Sequence, residues 1–153
     1  MQLRKGDMFQ HKADVLLVTA NSYVTHNGVL VMGRGAAKQA NDLYQCAEHF
    51  GWLVNDTIGH KARQRYGVIM GDPGCYNPEC PYWLGIFQVK YHWRDEADLK
   101  LIEYSALKLT QLAIPDEFKI SLNFPGIGNG RLRREDVLPL LEGLPGNVTV
   151  WEL

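Results

Sequence analysis

The chain has 153 residues, of which 46% are apolar, so it can bury a core and we expect a single domain over residues 1–153. A net charge of -1 with 22% charged residues excludes a bulk nucleic-acid binder and a disordered chain. No apolar run is long enough to span a bilayer and no secretion signal opens the chain, so we expect a cytoplasmic protein without a membrane partner.

The first predicted element is a central β-strand over Val15–Ala20, because a continuous apolar run rich in β-branched residues is typical of a strand covered on both faces. A glycine-containing loop follows. Apolar residues then recur at spacings of four and three, namely Ala36, Ala40, Leu43, Ala47 and Phe50. This pattern predicts one helix packed on the sheet, with Lys38, Asn41 and Gln45 pointing away from it.

Two short strands are predicted next, over residues 67–70 and 84–89. Between them, residues 71–81 are rich in Gly, Pro and Asn and are predicted to form a loop. Tyr76 lies in this loop, and Tyr82 and Trp83 lie just beyond it, so the segment is a candidate lid over a nearby cleft.

The remaining elements complete an alternation of strands and helices. Asp95 is the expected N-cap of a helix whose apolar positions run from Leu99 to Ala113, and Pro115 stops the pattern. Residues 118–124 alternate between apolar and polar side chains, which predicts a strand with one face in the core. A short helix near residues 137–141 and a last strand over residues 147–151 follow. Such an alternation predicts a layered α/β sandwich.

The three cysteines bear on redox chemistry and metals. Their odd number argues against a disulfide framework. Cys75 and Cys80 stand close together, whereas Cys46 is distant, and no second Cys or His pair accompanies them at zinc spacing. We interpret the segment as a structural loop and predict neither a metal nor a cofactor.

A glycine-rich loop gives the strongest local signal for a ligand. Pro125-Gly126-Ile127-Gly128-Asn129-Gly130 follows the predicted strand over residues 118–124 and precedes a helix. Glycines allow backbone N–H groups to face a ligand, and a helix N-terminus adds the positive end of its dipole, which suits a phosphate. The spacing is neither that of a Walker loop nor that of the dinucleotide fingerprint. The alternative is a loop whose glycines serve only tight turns.

Another loop of the same kind, which is the first of the two in chain order, favours the ligand interpretation. Residues 27–35 follow the first central strand, contain Gly28, Gly33 and Gly35, and open a helix at Ala36. In an open α/β sheet the ligand crevice lies outside the carboxyl ends of adjacent strands, so the two loops are expected to flank it. A phosphate pair held between them by backbone donors needs no cluster of Lys and Arg.

Several motifs resemble, in the correct order and over nearly the whole chain, those of the macrodomains, which bind ADP-ribose and its derivatives. Gly6-Asp7-Met8 is similar to the family's opening motif, which implies that Asp7 accepts a hydrogen bond from the adenine amino group. Thr19-Ala20-Asn21-Ser22 is similar to the end of its central strand, which implies that Asn21 contacts the distal ribose. Met32-Gly33-Arg34-Gly35-Ala36 and Gly128-Asn129-Gly130-Arg131-Leu132 resemble its two phosphate loops.

The resemblance implies a three-layer α/β/α sandwich around a central mixed sheet and defines the expected site. Its expected ligand-binding residues are Asp7, Met8, Asn21, Ser22, Met32, Gly33, Arg34, Gly35, Ala36, Pro125, Gly126, Ile127, Gly128, Asn129, Gly130 and Arg131. The stretch from Ile86 to Arg94, with Leu99 and Ile102-Glu103 after it, resembles the branch of terminal ADP-ribose protein glycohydrolases and of antitoxin macrodomains that remove ADP-ribose from DNA.

The same branch suggests catalytic candidates. Its enzymes use a lysine on the helix after the first glycine loop and an acid near the second. An ungapped count places that lysine at Asn41, and the nearest lysine is Lys38, which is either a nucleophile or a solvated side chain. The acid falls on Gly130 or Arg133, so this chain departs from the pattern at both places. Other macrodomains use a positioned water and the ribose-contacting asparagine, which makes Asn21 the other candidate.

Three functions therefore stay open. The first is an enzyme that hydrolyses the ADP-ribosyl linkage or removes a phosphate from an ADP-ribose derivative. The second is a non-catalytic reader of free or attached ADP-ribose, and the third is a general nucleotide-diphosphate-binding protein. The expected partner is ADP-ribose or an ADP-ribosylated macromolecule, and we expect a monomer. His92 and Trp93 either line the pocket or serve packing, and Arg131, Arg133 and Arg134 either meet a phosphate or are solvated.

Overall fold

A single mixed sheet forms the centre of the computed structural model, which describes residues 1–61, 63–71 and 80–153. In these ranges its strands are β1 (Gln2–Lys5), β2 (Val15–Ala20), β3 (Val68–Met70), β4 (Trp83–Gln88), β5 (Ile120–Asn123) and β6 (Val148–Glu152). Their order across the sheet is β1-β6-β5-β2-β4-β3. Every neighbouring pair is parallel except β3 with β4, which is antiparallel.

Helices cover both faces of this sheet. They are α1 (Gly35–Tyr44), α2 (Ala47–Ile58), α3 (Leu99–Gln111) and α4 (Arg134–Leu141). None of the helices in the described ranges is long and apolar enough to cross a bilayer. Leu16 and Val18 of β2 pack with α1 and α2, whereas Val15 and Leu17 pack with α3 and α4. The predicted three-layer α/β/α sandwich is therefore confirmed, as is a central strand covered on both faces.

The prediction of one helix after the first glycine loop is wrong, because the chain breaks it into α1 and α2. Gln45 adopts a left-handed conformation with φ of 52°, and the buried Cys46 is the N-cap residue of the next helix. Asn41, which was expected to point away, accepts a hydrogen bond from the backbone N–H of Ala47 at 2.9 Å and so caps α2. Leu43 is 50% exposed rather than in the core. Both helices pack on the same sheet face, so the apolar spacing continued across the break.

The N-cap predicted for the third helix is also wrong by three residues. Asp98, not Asp95, accepts hydrogen bonds from the backbone N–H groups of Lys100 and Leu101, so α3 begins at Leu99. Asp95 instead accepts from the backbone N–H of His92 at 3.2 Å and closes a turn before the helix. Both aspartates are short side chains that suit turns, so the pattern alone did not separate them.

Three other sequence predictions have outcomes in the structure. The strand expected over residues 118–124 is the shorter β5, and both its faces are covered, because Ser121 on the polar side is buried and accepts a hydrogen bond from Trp151 Nε1. Strand β1 was not predicted, since its four residues are exposed and carry no apolar pattern. The candidate lid falls mostly outside the described residues, and beyond it Tyr82 is buried whereas Trp83 is 47% exposed.

Candidate functional site

A cavity of about 790 Å³ opens at the carboxyl ends of β2 and β5, which are adjacent parallel strands in the middle of the sheet. This volume lies in the range of small-molecule sites. Thr19 at the end of β2 and Asn123 at the end of β5 line it. The Asn123 Oδ1 accepts from the Thr19 N–H at 2.9 Å, and Asn123 Nδ2 donates to Thr19 Oγ1 at 2.8 Å, so the floor of the cavity is fixed.

Both glycine-rich loops line this cavity, Gly33 from the first and Gly128 from the second. The first loop leads into α1, whose N-cap residue Arg34 makes no side-chain capping bond. Amide groups of the first turn of α1 therefore remain available to an anion. Gly35 has a φ of 60°, and a Cβ there would lie 3.5 Å from Asn129 Nδ2 of the second loop. The two loops thus come close together at the mouth of one cleft.

The glycines of the second loop have two different roles. Gly126 has a φ of 78° and Gly130 would place a Cβ 2.6 Å from the Gly126 carbonyl oxygen, so both are needed for the loop itself. Gly128 is exposed, and a Cβ there would meet no described atom within 4 Å. No packing requirement in the described residues therefore explains the glycine at position 128, which lines the cavity.

A carboxylate marks one end of the cavity. Asp7 accepts a hydrogen bond from the Phe9 N–H at 3.0 Å and from Gln39 Nε2 at 3.2 and 3.4 Å, and all three residues line the cavity. A carboxylate has about four acceptor positions, so these bonds leave acceptor capacity for the amino group of a base. The Asp7–Gln39 pair thus presents acceptors to whatever occupies this end.

Asn21 lines the cavity just after the end of β2, three strands across the sheet from β1, which precedes Asp7, and it is only 5% exposed. Its Nδ2 donates to the Val31 carbonyl oxygen at 3.0 Å, and its Oδ1 accepts from the Tyr23 N–H at 2.9 Å. The amide therefore joins the end of β2 to the first glycine loop at Val31. One N–H and one acceptor position of the amide remain for a ligand in the cavity.

A lysine that sequence reasoning missed also lines the cavity. Lys90 Nζ donates to the carbonyl oxygens of Trp93 at 3.2 Å and Asp95 at 3.3 Å. Burial lowers the pKa of Lys90, Asp95 opposes the shift, and the nearby guanidinium groups of Arg34 and Arg131 lower the pKa further. Positive charge thus accumulates around the part of the cavity that the two loops enclose, and an anion bound there would relieve the repulsion.

The structure brings most of the predicted ligand-binding residues together. Those that line the cavity are Asp7, Met8, Asn21, Met32, Gly33, Arg34, Gly35, Ala36, Gly126, Ile127, Gly128, Asn129 and Gly130. Ser22, Pro125 and Arg131 lie outside this lining, and the Ser22 hydroxyl donates to the Tyr91 carbonyl oxygen. Lys38 also lies outside it, on an exposed face of α1 where it forms an ion pair with Asp42.

The cavity residues that were not predicted include Gln39 and Lys90, whereas Trp93, for which lining the pocket and packing were both open, does line the cavity. Lys90 follows β4 almost directly, and β4 is the parallel neighbour of β2. Because ligands collect at the carboxyl ends of parallel strands, this position is the signal that could have identified Lys90. Gln39 lies on α1 and carried no signal beyond its helical position.

Comparisons with solved structures identify the fold. The macrodomain of Mycobacterium tuberculosis DarG superposes with a TM-score of 0.71 at 22% identity, over 97% of this chain and 94% of that chain. The macrodomain of Thermus aquaticus DarG gives 0.63 at 23% identity, over 98% and 95%. Thermosipho africanus DarTG in complex with ADP-ribose gives 0.66 at 20% identity, over 95% of this chain and 39% of that longer chain. No protein-family model and no curated protein matches the sequence.

Proposed function

We propose that this chain, which has the macrodomain fold, binds ADP-ribose in the cavity at the carboxyl ends of β2 and β5. The observation that carries the proposal is the convergence of two glycine-rich loops on one cleft, with Gly35 of the first beside Asn129 of the second. Backbone amides from two sides, together with the start of α1, suit a pair of linked phosphoryl groups. The ADP-ribose present in the Thermosipho africanus DarTG structure supports the same ligand.

The two ends of the cavity suit the two ends of this ligand. At one end the acceptors of Asp7 and Gln39 match the amino group of adenine, which is a donor. At the other end the free N–H and acceptor position of Asn21 match the hydroxyl groups of the distal ribose. Arg34 and Lys90 supply positive charge to the cavity wall, which suits the negative charge of the diphosphate.

Calorimetry with a ligand series tests this proposal. We expect the affinity to rise from AMP to ADP and again from ADP to ADP-ribose, each step by about tenfold, which corresponds to about 1.4 kcal/mol. The first step reports the second phosphate on the loops, and the second step reports the distal ribose at Asn21. Equal affinities for AMP and ADP-ribose would refute the proposal, and equal affinities for ATP, NAD and ADP-ribose would favour a general nucleotide-binding protein.

A second candidate function is the release of ADP-ribose from a modified macromolecule. The observation that favours it is the environment of Lys90 at the cavity wall. Burial and neighbouring cations lower the pKa of a lysine at the cavity wall, and a lowered pKa increases the neutral, nucleophilic fraction of an amine. Such an amine could attack the anomeric carbon of the distal ribose and break its bond to the macromolecule, whose linking atom takes up the proton that the amine loses. Water would then cleave the lysine adduct and release ADP-ribose, with Asn21 holding the ribose in place. A non-catalytic reader would use the same cation only to attract the diphosphate.

Replacing each of two lysines by methionine separates these functions. If the protein is a hydrolase, Lys90→Met is expected to slow the release of ADP-ribose at least tenfold, on the scale of lost acid–base or nucleophilic catalysis. Lys38→Met is the matched control, since Lys38 is exposed and paired with Asp42 outside the cavity. Release is followed by chromatography of free ADP-ribose from modified protein, DNA and RNA. Release that survives Lys90→Met but not Lys38→Met would reverse the assignment.

A further inference from the structure

We propose that Tyr66 and Gln88 are positioning residues that fix Asn21 for the distal ribose and thereby set how much affinity that ribose contributes. This inference rests on the proposed binding of ADP-ribose. Neither Tyr66 nor Gln88 lines the cavity, and both are buried in the protein. Their influence on the ligand would therefore pass entirely through Asn21.

Gln88 is the anchor of this arrangement. It is the last residue of β4, is fully buried, and forms hydrogen bonds with the segment of residues 64–67, which precedes β3. Its Oε1 accepts from the N–H groups of Tyr66 at 2.7 Å and Gly67 at 3.1 Å, and its Nε2 donates to the Gln64 carbonyl oxygen at 3.1 Å. The Gln88 N–H also donates to the Gly67 carbonyl oxygen at 2.7 Å. Four hydrogen bonds to one buried residue leave this segment little freedom.

Tyr66 connects this fixed segment to Asn21 in the cavity wall. Its hydroxyl donates to the Asn21 carbonyl oxygen at 2.7 Å, in surroundings that are buried. Burial raises the pKa of Tyr66 well above its ordinary value, so the hydroxyl remains protonated and remains a donor. The bond fixes the backbone of Asn21, while the Asn21 side chain is itself held between Tyr23 and Val31.

Loss of the Tyr66 hydroxyl is expected to affect the ligand only at the end of the cavity where Asn21 lies. Within the described residues no hydrogen bond joins Tyr66 to Asp7 or to the two glycine loops, so we expect adenine and diphosphate binding not to depend on its hydroxyl. Without the hydroxyl, the Asn21 carbonyl group is left buried without this donor, and the residue relaxes from its position. A displacement well under 1 Å is enough to weaken a hydrogen bond to a ribose hydroxyl.

The test compares ADP-ribose with ADP in the Tyr66→Phe variant, which keeps the ring and its packing and removes one hydroxyl. We expect the dissociation constant for ADP-ribose to rise about tenfold, on the scale of a misplaced hydrogen bond, and that for ADP to change less than about twofold. The matched control is Tyr82→Phe, which removes a hydroxyl that donates to the Phe9 carbonyl oxygen at the adenine end. Any change there should affect ADP and ADP-ribose by the same factor.

A double-mutant cycle distinguishes positioning from a general loss of structure. In the Asn21→Ala background, which already lacks the ribose contact, adding Tyr66→Phe should leave the ratio of the ADP and ADP-ribose dissociation constants unchanged. A Tyr66→Phe variant that weakens both ligands equally, or that keeps the full wild-type ratio, overturns the inference. A wild-type protein that binds ADP and ADP-ribose equally would instead show that the proposed function itself is wrong.

Discussion

Gly128→Val is expected to weaken ADP-ribose binding at least 100-fold, which is about 2.7 kcal/mol, while the protein stays folded. The backbone of Gly128 has no positive φ, and a Cβ there would meet no described atom within 4 Å, so valine needs no rearrangement of the fold. Gly128 lines the cleft that both glycine loops share, so a branched side chain there would take up space beside a bound group. A phosphoryl group held close to the backbone amides would then have no room.

Gly143→Val is the matched control for this substitution. Gly143 is also exposed, has no positive φ and would place its Cβ in open space, but it lies outside the cavity lining. Binding is measured by calorimetry and folding by thermal denaturation. We expect both variants to melt near the wild-type temperature and only Gly128→Val to lose the ligand. Wild-type affinity in folded Gly128→Val would remove the second loop from the site.

Gly51→Ala is expected to lower the free energy of unfolding by about 2–3 kcal/mol, the upper range for overpacking of a tight contact. Gly51 lies within α2, where helix propensity alone would favour alanine over glycine by about 1 kcal/mol. A Cβ at Gly51 would lie 2.0 Å from the Gly28 carbonyl oxygen and 2.9 Å from the Leu30 backbone nitrogen. These are backbone atoms, so the first glycine loop would have to move away from α2.

Urea denaturation measures this effect, with Gly143→Ala as the control because a Cβ there meets only open space. The two substitutions add the same methyl group, so their difference isolates the contact between α2 and the loop. The Leu30 N–H also donates to the Ala47 carbonyl oxygen at 3.0 Å, and we expect this bond to be lost with the contact. A Gly51→Ala protein as stable as the wild type would show that the loop accommodates the methyl group freely.

The layered fold was predictable because its strongest elements carry simple patterns. The apolar run of β2 and the amphipathic spacing of α3 both give unambiguous signals, and the structure has both elements. The glycine loops were predictable for a different reason, since each follows a strand and precedes a helix in an alternating chain. Together they were enough to place both loops at one end of the sheet.

Other features of the structure are not predicted by any pattern in the sequence. The break between α1 and α2 depends on a left-handed Gln45, a residue with no intrinsic preference for that conformation, and on Asn41 capping the next helix. Pairing with the last strand, rather than any pattern of its own, makes residues 2–5 a strand. The Tyr66–Asn21 hydrogen bond joins residues 45 positions apart, so only the folded topology brings them together.

The pairing of β1 with β6 has a consequence for how the protein is made. Residues 2–5 are synthesised long before residues 149–152, with which they pair. Pairings between such distant residues are slow to form. Because β6 lies between β1 and β5 in the sheet, β1 and one edge of β5 remain unpaired until β6 has been synthesised. Trp151 of β6 also lines the cavity, so the wall of the cavity is incomplete until β6 has been synthesised and has paired.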